Sequence, residues 1–146
     1  PEPDVKIAVT AYIPDDYVPD GDQKMELYQR LADAHRIVDL LAIREEMEDR
    51  FGRLPYQARS LMHIMEIRVM SRQLGLDAVH LEKSRFRLVF PEDRQLSPAD
   101  VQRMVEKCSS QLEFDIGERL SIEIRVQGRD EIERLEKARD TLEEIL

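Results

Sequence analysis

EMEDRFGRLPYQARSLMHIMEIRVMSRQLG, residues 46–75, holds the end of one helix and the whole of the next. Gly52 stands where a left-handed C′ residue closes a helix whose apolar positions, Leu40, Ile43, Met47 and Phe51, recur every three or four residues. Pro55 suits the first turn of the next helix, where its missing N–H costs nothing. There Ala58, Leu61, Met62, Ile64, Met65, Ile67, Val69, Met70 and Leu74 nearly encircle the axis, so this is expected to be the buried helix of the fold, ended by Gly75.

On the amino-terminal side, Val5, Ile7 and Val9 alternate with Lys6 and Ala8 as in a half-buried strand, stopped at Ile13-Pro14-Asp15-Asp16. Asp20 or Asp22 can cap a helix carrying Met25, Tyr28, Leu31 and Ala32 on one face. On the carboxyl side, Val79–Leu81 and Phe86–Phe90 read as a hairpin turning at Glu82-Lys83-Ser84. Ser97-Pro98-Ala99-Asp100 announces a further helix with Val101, Met104, Val105 and Cys108. Leu112, Phe114 and Ile116, then Leu120, Ile122, Ile124 and Val126, form a second hairpin around Gly117-Glu118-Arg119. Asp130 caps a terminal helix facing inward through Ile132, Leu135, Ala138, Leu142 and Ile145. The expectation is a single compact α+β domain over 1–146, with short antiparallel strands and hairpins packed with about five helices.

Composition narrows the function. The net charge of −9 opposes the counterion release that drives proteins onto nucleic acid. Both ends are acidic and the middle, residues 53–94, is net basic. No apolar run approaches the roughly 18 residues of a membrane span, so no membrane contact is expected. One cysteine and no signal-like start suggest the cytoplasm and a monomeric fragment. All five glycines stand alone, which leaves no phosphate-cradling loop and no expected cofactor. His63 and Glu66 lack the second pair that a carboxylate-bridged metal site needs. Asp15, Asp16, Asp20 and Asp22 miss calcium-loop spacing, and turn and cap duties account for them. Cys108 lies on the apolar face of its helix, as a packed rather than a nucleophilic thiol. No catalytic motif is legible, so no enzyme activity is expected of these residues. Arg68 with Arg72, and Lys83, Arg85 and Arg87 on the first hairpin, support the alternative of a nucleic-acid accessory domain using the basic 83–94 region. A solvated sheet face is the simpler account, because aromatic residues for base stacking are scarce.

The signature Glu46-Met47-Glu48-Asp49-Arg50-Phe51-Gly52-Arg53-Leu54-Pro55 resembles Glu-x-x-Asp-Arg-Phe-Gly-x-x-Pro of the carboxy-terminal domain of bacterial transcription-repair coupling factors. Ala11-Tyr12-Ile13-Pro14-Asp15-Asp16-Tyr17-Val18-Pro19-Asp20 resembles that domain's opening segment, and Leu27-Tyr28-Gln29-Arg30-Leu31-Ala32 its first helix. Lys24-Met25 departs from the Arg-Leu pair usual there. The resemblance covers essentially the whole chain. It implies a regulatory fragment of a large cytoplasmic ATP-dependent DNA translocase that displaces stalled RNA polymerase and recruits nucleotide excision repair. ATP, magnesium, polymerase and DNA would be handled by other domains of that parent. This domain would pack on a UvrB-like module of the same protein and mask the surface for UvrA, as an autoinhibitory clamp. By the same resemblance Glu46, Asp49 and Arg50 are the candidate protein-interaction residues, on the charged outer side of their helix near its carboxyl end.

Overall fold

In the computed structural model, which describes residues 2–146, the alternation of the short strands becomes two unbroken apolar rows across one sheet. Pro1, counted in the 1–146 expectation, lies outside the described residues. The elements run β1 (Asp4–Ile7), α1 (Gly21–Asp33), α2 (Ile37–Phe51), α3 (Tyr56–Gln73), β2 (Ala78–Glu82), β3 (Arg85–Val89), α4 (Pro98–Lys107), β4 (Leu112–Ile116), β5 (Leu120–Arg125) and α5 (Glu131–Ile145). The strand order is β1-β2-β3-β5-β4. One apolar row is Val5, Val79, Leu88, Ile122 and Phe114; the other is Ile7, Leu81, Phe86, Ile124 and Leu112. The row between them, Lys6, His80, Arg87, Glu123 and Glu113, faces the other way. Slipping any strand by one residue would exchange apolar for charged rows, which fixes the register.

Both expected hairpins form, and the sheet is antiparallel from β2 onward. The exception is β1, which joins β2 in parallel. The three intervening helices provide the long crossover that a parallel pair requires. The first hairpin is also tighter than its sequence suggested: Glu82 pairs with Arg85, leaving only Lys83-Ser84 as the loop. Lys83 takes a positive φ of 55°, as the first position of a primed turn demands.

The α1 face differs from the expected one. Leu27 and Leu31 are buried with Ala34, whereas Met25 is 68% exposed and Ala32 faces solvent. Met25 and Leu27 lie about 160° apart on a helix, so only one can face inward. The Tyr28 hydroxyl, accepting the Ile13 N–H at 2.7 Å, ties the border of the chosen face to the preceding loop.

α3 is buried on opposite sides. Ile67 and Met70 join the sheet and α5 in one core, while Ala58, Leu61, Met62 and Val69 join α1 and α2 in another. Leu135, Ala138, Leu142 and Ile145 complete the first core from α5. No helix among the described residues is long and apolar enough to cross a membrane.

Where α3 meets α5 the packing is ionic. Glu66, buried on α3, accepts Arg139 Nε at 2.6 Å, and Arg139 also pairs with Asp140 and Glu143. His63 places Nδ1 3.5 Å from Glu66 and Nε2 3.9 Å from Glu136. Burial works to raise the Glu66 pKa, but the His63 ring and the Arg139 guanidinium outweigh it and hold the carboxyl below its ordinary value.

Removing one partner of such a pair strands a buried charge, so Arg139→Met should lower stability by about 3 kcal/mol in urea unfolding at neutral pH. Glu66→Met/Arg139→Met should recover most of that loss. A group whose folded pKa is depressed contributes stability above its unfolded pKa and loses it as pH falls through the folded value. The wild-type chain should therefore lose stability progressively below the ordinary glutamate pKa of 4.5. The double variant should lose less over that window.

Candidate protein-interaction face

Glu46, Asp49 and Arg50 all lie on the last turns of α2, and their surroundings differ. Glu46 receives both prongs of the Arg30 guanidinium from α1, at 2.7 and 3.0 Å, and Arg50 Nη1 at 3.0 Å. This fork-on-carboxylate contact clamps α1 to α2. The three side chains remain between 35% and 38% exposed, so solvent screening keeps the pair to the order of 1 kcal/mol. The hydrogen bond from Arg30 lowers the Glu46 pKa; desolvation opposes it, and the hydrogen bond from Arg50 with the charges of both arginines keeps the net shift downward.

Arg50 is held as well. Its guanidinium lies over the Phe51 ring at 4.9 Å, and that ring tilts against Tyr17 with centroids 5.8 Å apart. The Tyr17 hydroxyl donates to the Gly52 carbonyl at 2.7 Å and lies 3.2 Å from the Met47 carbonyl, at the carboxyl end of α2. Burial, then the Glu48 charge, raise the Tyr17 pKa against Arg44, so the phenol keeps its proton. Gly52 has φ 90°, a conformation that a side chain would strain. At the end of α1, Arg68 of α3 donates to the Leu31 and Ala32 carbonyls at 3.3 and 2.6 Å. Arg68 and Tyr17 thus pin the carboxyl ends of both helices.

Asp49 is exposed and makes no hydrogen bond or ion pair among the described residues, and the same is true of Glu45. At 100° per residue, Val38, Leu41, Glu45 and Asp49 form one outer stripe of α2. Its amino-terminal half is apolar, with Val38 58% and Leu41 47% exposed; its carboxyl half is acidic. Sequence reasoning missed Val38 and Leu41 because Ile37–Ile43 is apolar almost throughout, so periodicity identifies the core positions and leaves no signal for the others. The helix-pinning roles of Arg30, Tyr17 and Arg68, the last singled out in the sequence only as part of a basic pair with Arg72, leave no local signal because their partners lie 16 to 37 residues away.

The remaining candidates have local duties. Asp20 caps α1 through the Asp22 and Gln23 amides, and Asp15 pairs with Lys24. Arg72 meets Glu2 and the His35 ring. Cys108 is the half-buried C-cap of α4, and burial raises its thiol pKa. No group of three or more His, Cys, Asp or Glu side chains suited to a metal ion occurs among the described residues.

The described geometry has relatives. The family model for the TRCF domain matches residues 7–101. The transcription-repair-coupling factor of Bacillus subtilis is 30% identical over 139 residues, covering 92% of this chain and 12% of that protein. The protein of the same description from Escherichia coli is 29% identical over 112 residues, covering 77% and 10%. The chain therefore spans only about a tenth of the length of these curated relatives. A crystal structure of the C-terminal domain of transcription-repair coupling factor superposes with a TM-score of 0.84 at 20% identity, over 99% of this chain and 91% of that one. With the family model matched over more than half of its residues and this fold shared, the chain belongs to the TRCF domain family.

Proposed function

We propose that this chain is a non-catalytic regulatory end domain of a transcription-repair coupling factor. It docks through the outer stripe of α2 on a UvrB-like module of the same longer protein and masks a surface for UvrA. ATP hydrolysis with magnesium, DNA translocation and displacement of stalled RNA polymerase belong, in this proposal, to other parts of that cytoplasmic protein. The carrying observation is the stripe itself: Val38 and Leu41 exposed beside the unpaired carboxylates of Glu45 and Asp49, on a helix pinned at its end. An apolar centre bordered by acids suits a partner surface with apolar contacts and a basic rim. Glu46 supports this face from below by holding α2 against α1 through Arg30, Arg50 braces Glu46 from the next turn of α2, and Asp49 is the member of the trio free to meet a basic residue.

These roles separate experimentally. Glu45→Arg/Asp49→Arg should leave the urea midpoint of the chain nearly unchanged, because exposed substitutions shift stability by no more than about 0.5 kcal/mol. Binding of the chain to the UvrB-like module supplied in trans should weaken by about 30-fold or more, which is about 2 kcal/mol. Unchanged affinity with an unchanged midpoint would remove the stripe from the interface.

Glu46→Arg should behave differently, since it gathers three arginines and releases α1. It should cost about 1–2 kcal/mol of stability, and the swap Arg30→Glu/Glu46→Arg should restore more than half of that. A Glu46→Arg chain as stable as wild type would show that the clamp contributes nothing.

A further inference from the structure

The sheet face turned away from the helices carries a second surface, independent of the α2 stripe. Two adjoining hollows share Lys83, Ser84 and Arg125. One, of about 950 Å³, lies between the β2–β3 turn, the end of β5 and the start of α5, and adds Arg129 and Arg134. The other, of about 500 Å³, lies over the outer sheet face and adds His80, Arg85 and Arg87. In a chain of net charge −9 this is a local inversion of sign.

Much of that positive charge is uncompensated. Arg85 pairs with Glu123 and Arg129 with Glu133. Lys83, Arg87 and Arg125 make no ion pair or side-chain hydrogen bond among the described residues, and Arg134 reaches only the Gly128 carbonyl, at 3.2 Å. The register sets Arg85 directly opposite Arg125, a like-charge cross-strand pair that weakens a sheet; Glu123 engages Arg85 at 2.8 Å and leaves Arg125 unpaired. The wall of the larger hollow is backbone drawn close: a Cβ on Gly128 would lie 2.7 Å from Glu133 Cβ and 2.8 Å from the Arg134 amide nitrogen. That approach places the Gln127–Arg129 loop against the first turn of α5, beside the cations.

Arginine's planar fork suits carboxylate and phosphate alike. The surroundings favour carboxylate. No Phe, Tyr or Trp lines either hollow, and His80 alone gives a single-stranded nucleic acid no run of stacking platforms. Glu82, Glu123 and Glu133 border the cations closely, and the rest of the chain repels a long polyanion. An extended peptide presents every second side chain on one face, about 7 Å apart, and can place two or three carboxylates among these arginines without a long flanking charge. We propose that this groove binds an acidic, extended peptide segment, with Arg87 and Arg125 as its principal anchors and Lys83 and Arg134 beside them.

The test uses fluorescein-labelled hexaglutamate, hexaglutamine and a twelve-residue oligothymidylate against the 146-residue chain, by fluorescence anisotropy at about 50 mM salt, where screening is weak. Hexaglutamate should bind, hexaglutamine should not, and the oligonucleotide should bind more weakly than hexaglutamate. Arg87→Gln/Arg125→Gln should weaken hexaglutamate binding at least tenfold and Arg87→Glu/Arg125→Glu should abolish it, with circular dichroism melts confirming that both variants fold. Arg53→Glu, at the α2–α3 junction, should leave it unchanged. Glu45→Arg/Asp49→Arg should also leave it unchanged, which keeps this outcome separate from the fate of the α2 stripe. Absent hexaglutamate binding, or binding indifferent to Arg87 and Arg125, would overturn the proposal. So would tighter oligonucleotide binding with the same dependence, which would assign the groove to nucleic acid.

Discussion

One helix buried on opposite faces joins two hydrophobic cores into a single domain. α3 gives Ile67 and Met70 to the sheet and α5, and Ala58, Leu61, Met62 and Val69 to α1 and α2. Neither layer covers the other, so each presents an outer surface to solvent. The sheet can keep a charged face because its two apolar rows are covered by helices on the other side. α2 can expose Val38 and Leu41 because its inner positions, Leu40, Ile43 and Met47, already anchor it. The pair of buried Glu66 with Arg139 specifies how α5 meets this central helix, since sliding would leave the Glu66 carboxylate without its counter-charge.

Charge is used in two ways on the resulting surfaces. Around Glu46 it is neutralised internally: Arg30, Arg50, Phe51 and Tyr17 form a connected set that fixes the end of α2. Along the outer stripe acids lack protein partners, and in the groove over the sheet several cations do. The stripe is acidic beside apolar residues, and the groove is basic among arginines. A rigid support with unpaired charge on its surface costs little reorganisation when a complementary partner arrives.

Much of this architecture was legible in the sequence. Capping residues and alternation placed the five helices and both hairpins, and Ser97-Pro98-Ala99-Asp100 marked the start of α4 through a capping box that forms in full. The motif from Glu46 to Pro55 identified the family, and Gly52 has the positive φ that its position implied. The parallel placement of β1 was not legible, because strand partnership across three helices leaves no local signal. Nor was the α1 face, where Met25 and Leu27 compete on nearly equal hydrophobic terms. Among the candidate residues the sequence placed Glu46, Asp49 and Arg50 on one turn of α2. It could not distinguish the carboxylate engaged by Arg30 from the one left free, since that depends on a partner 16 residues away.

In the proposed arrangement the outer stripe of α2 is covered in the longer protein. Leu41 is half exposed, so a cysteine there should be tolerated, and with Cys108 replaced by Ala its alkylation rate reports cover at one point. The rate is compared between the isolated chain and the longer protein in which the UvrB-like module is proposed to lie. Alkylation should slow at least tenfold in the longer protein and recover when Glu45→Arg/Asp49→Arg is added. Equal rates in the isolated chain and the longer protein would contradict that arrangement.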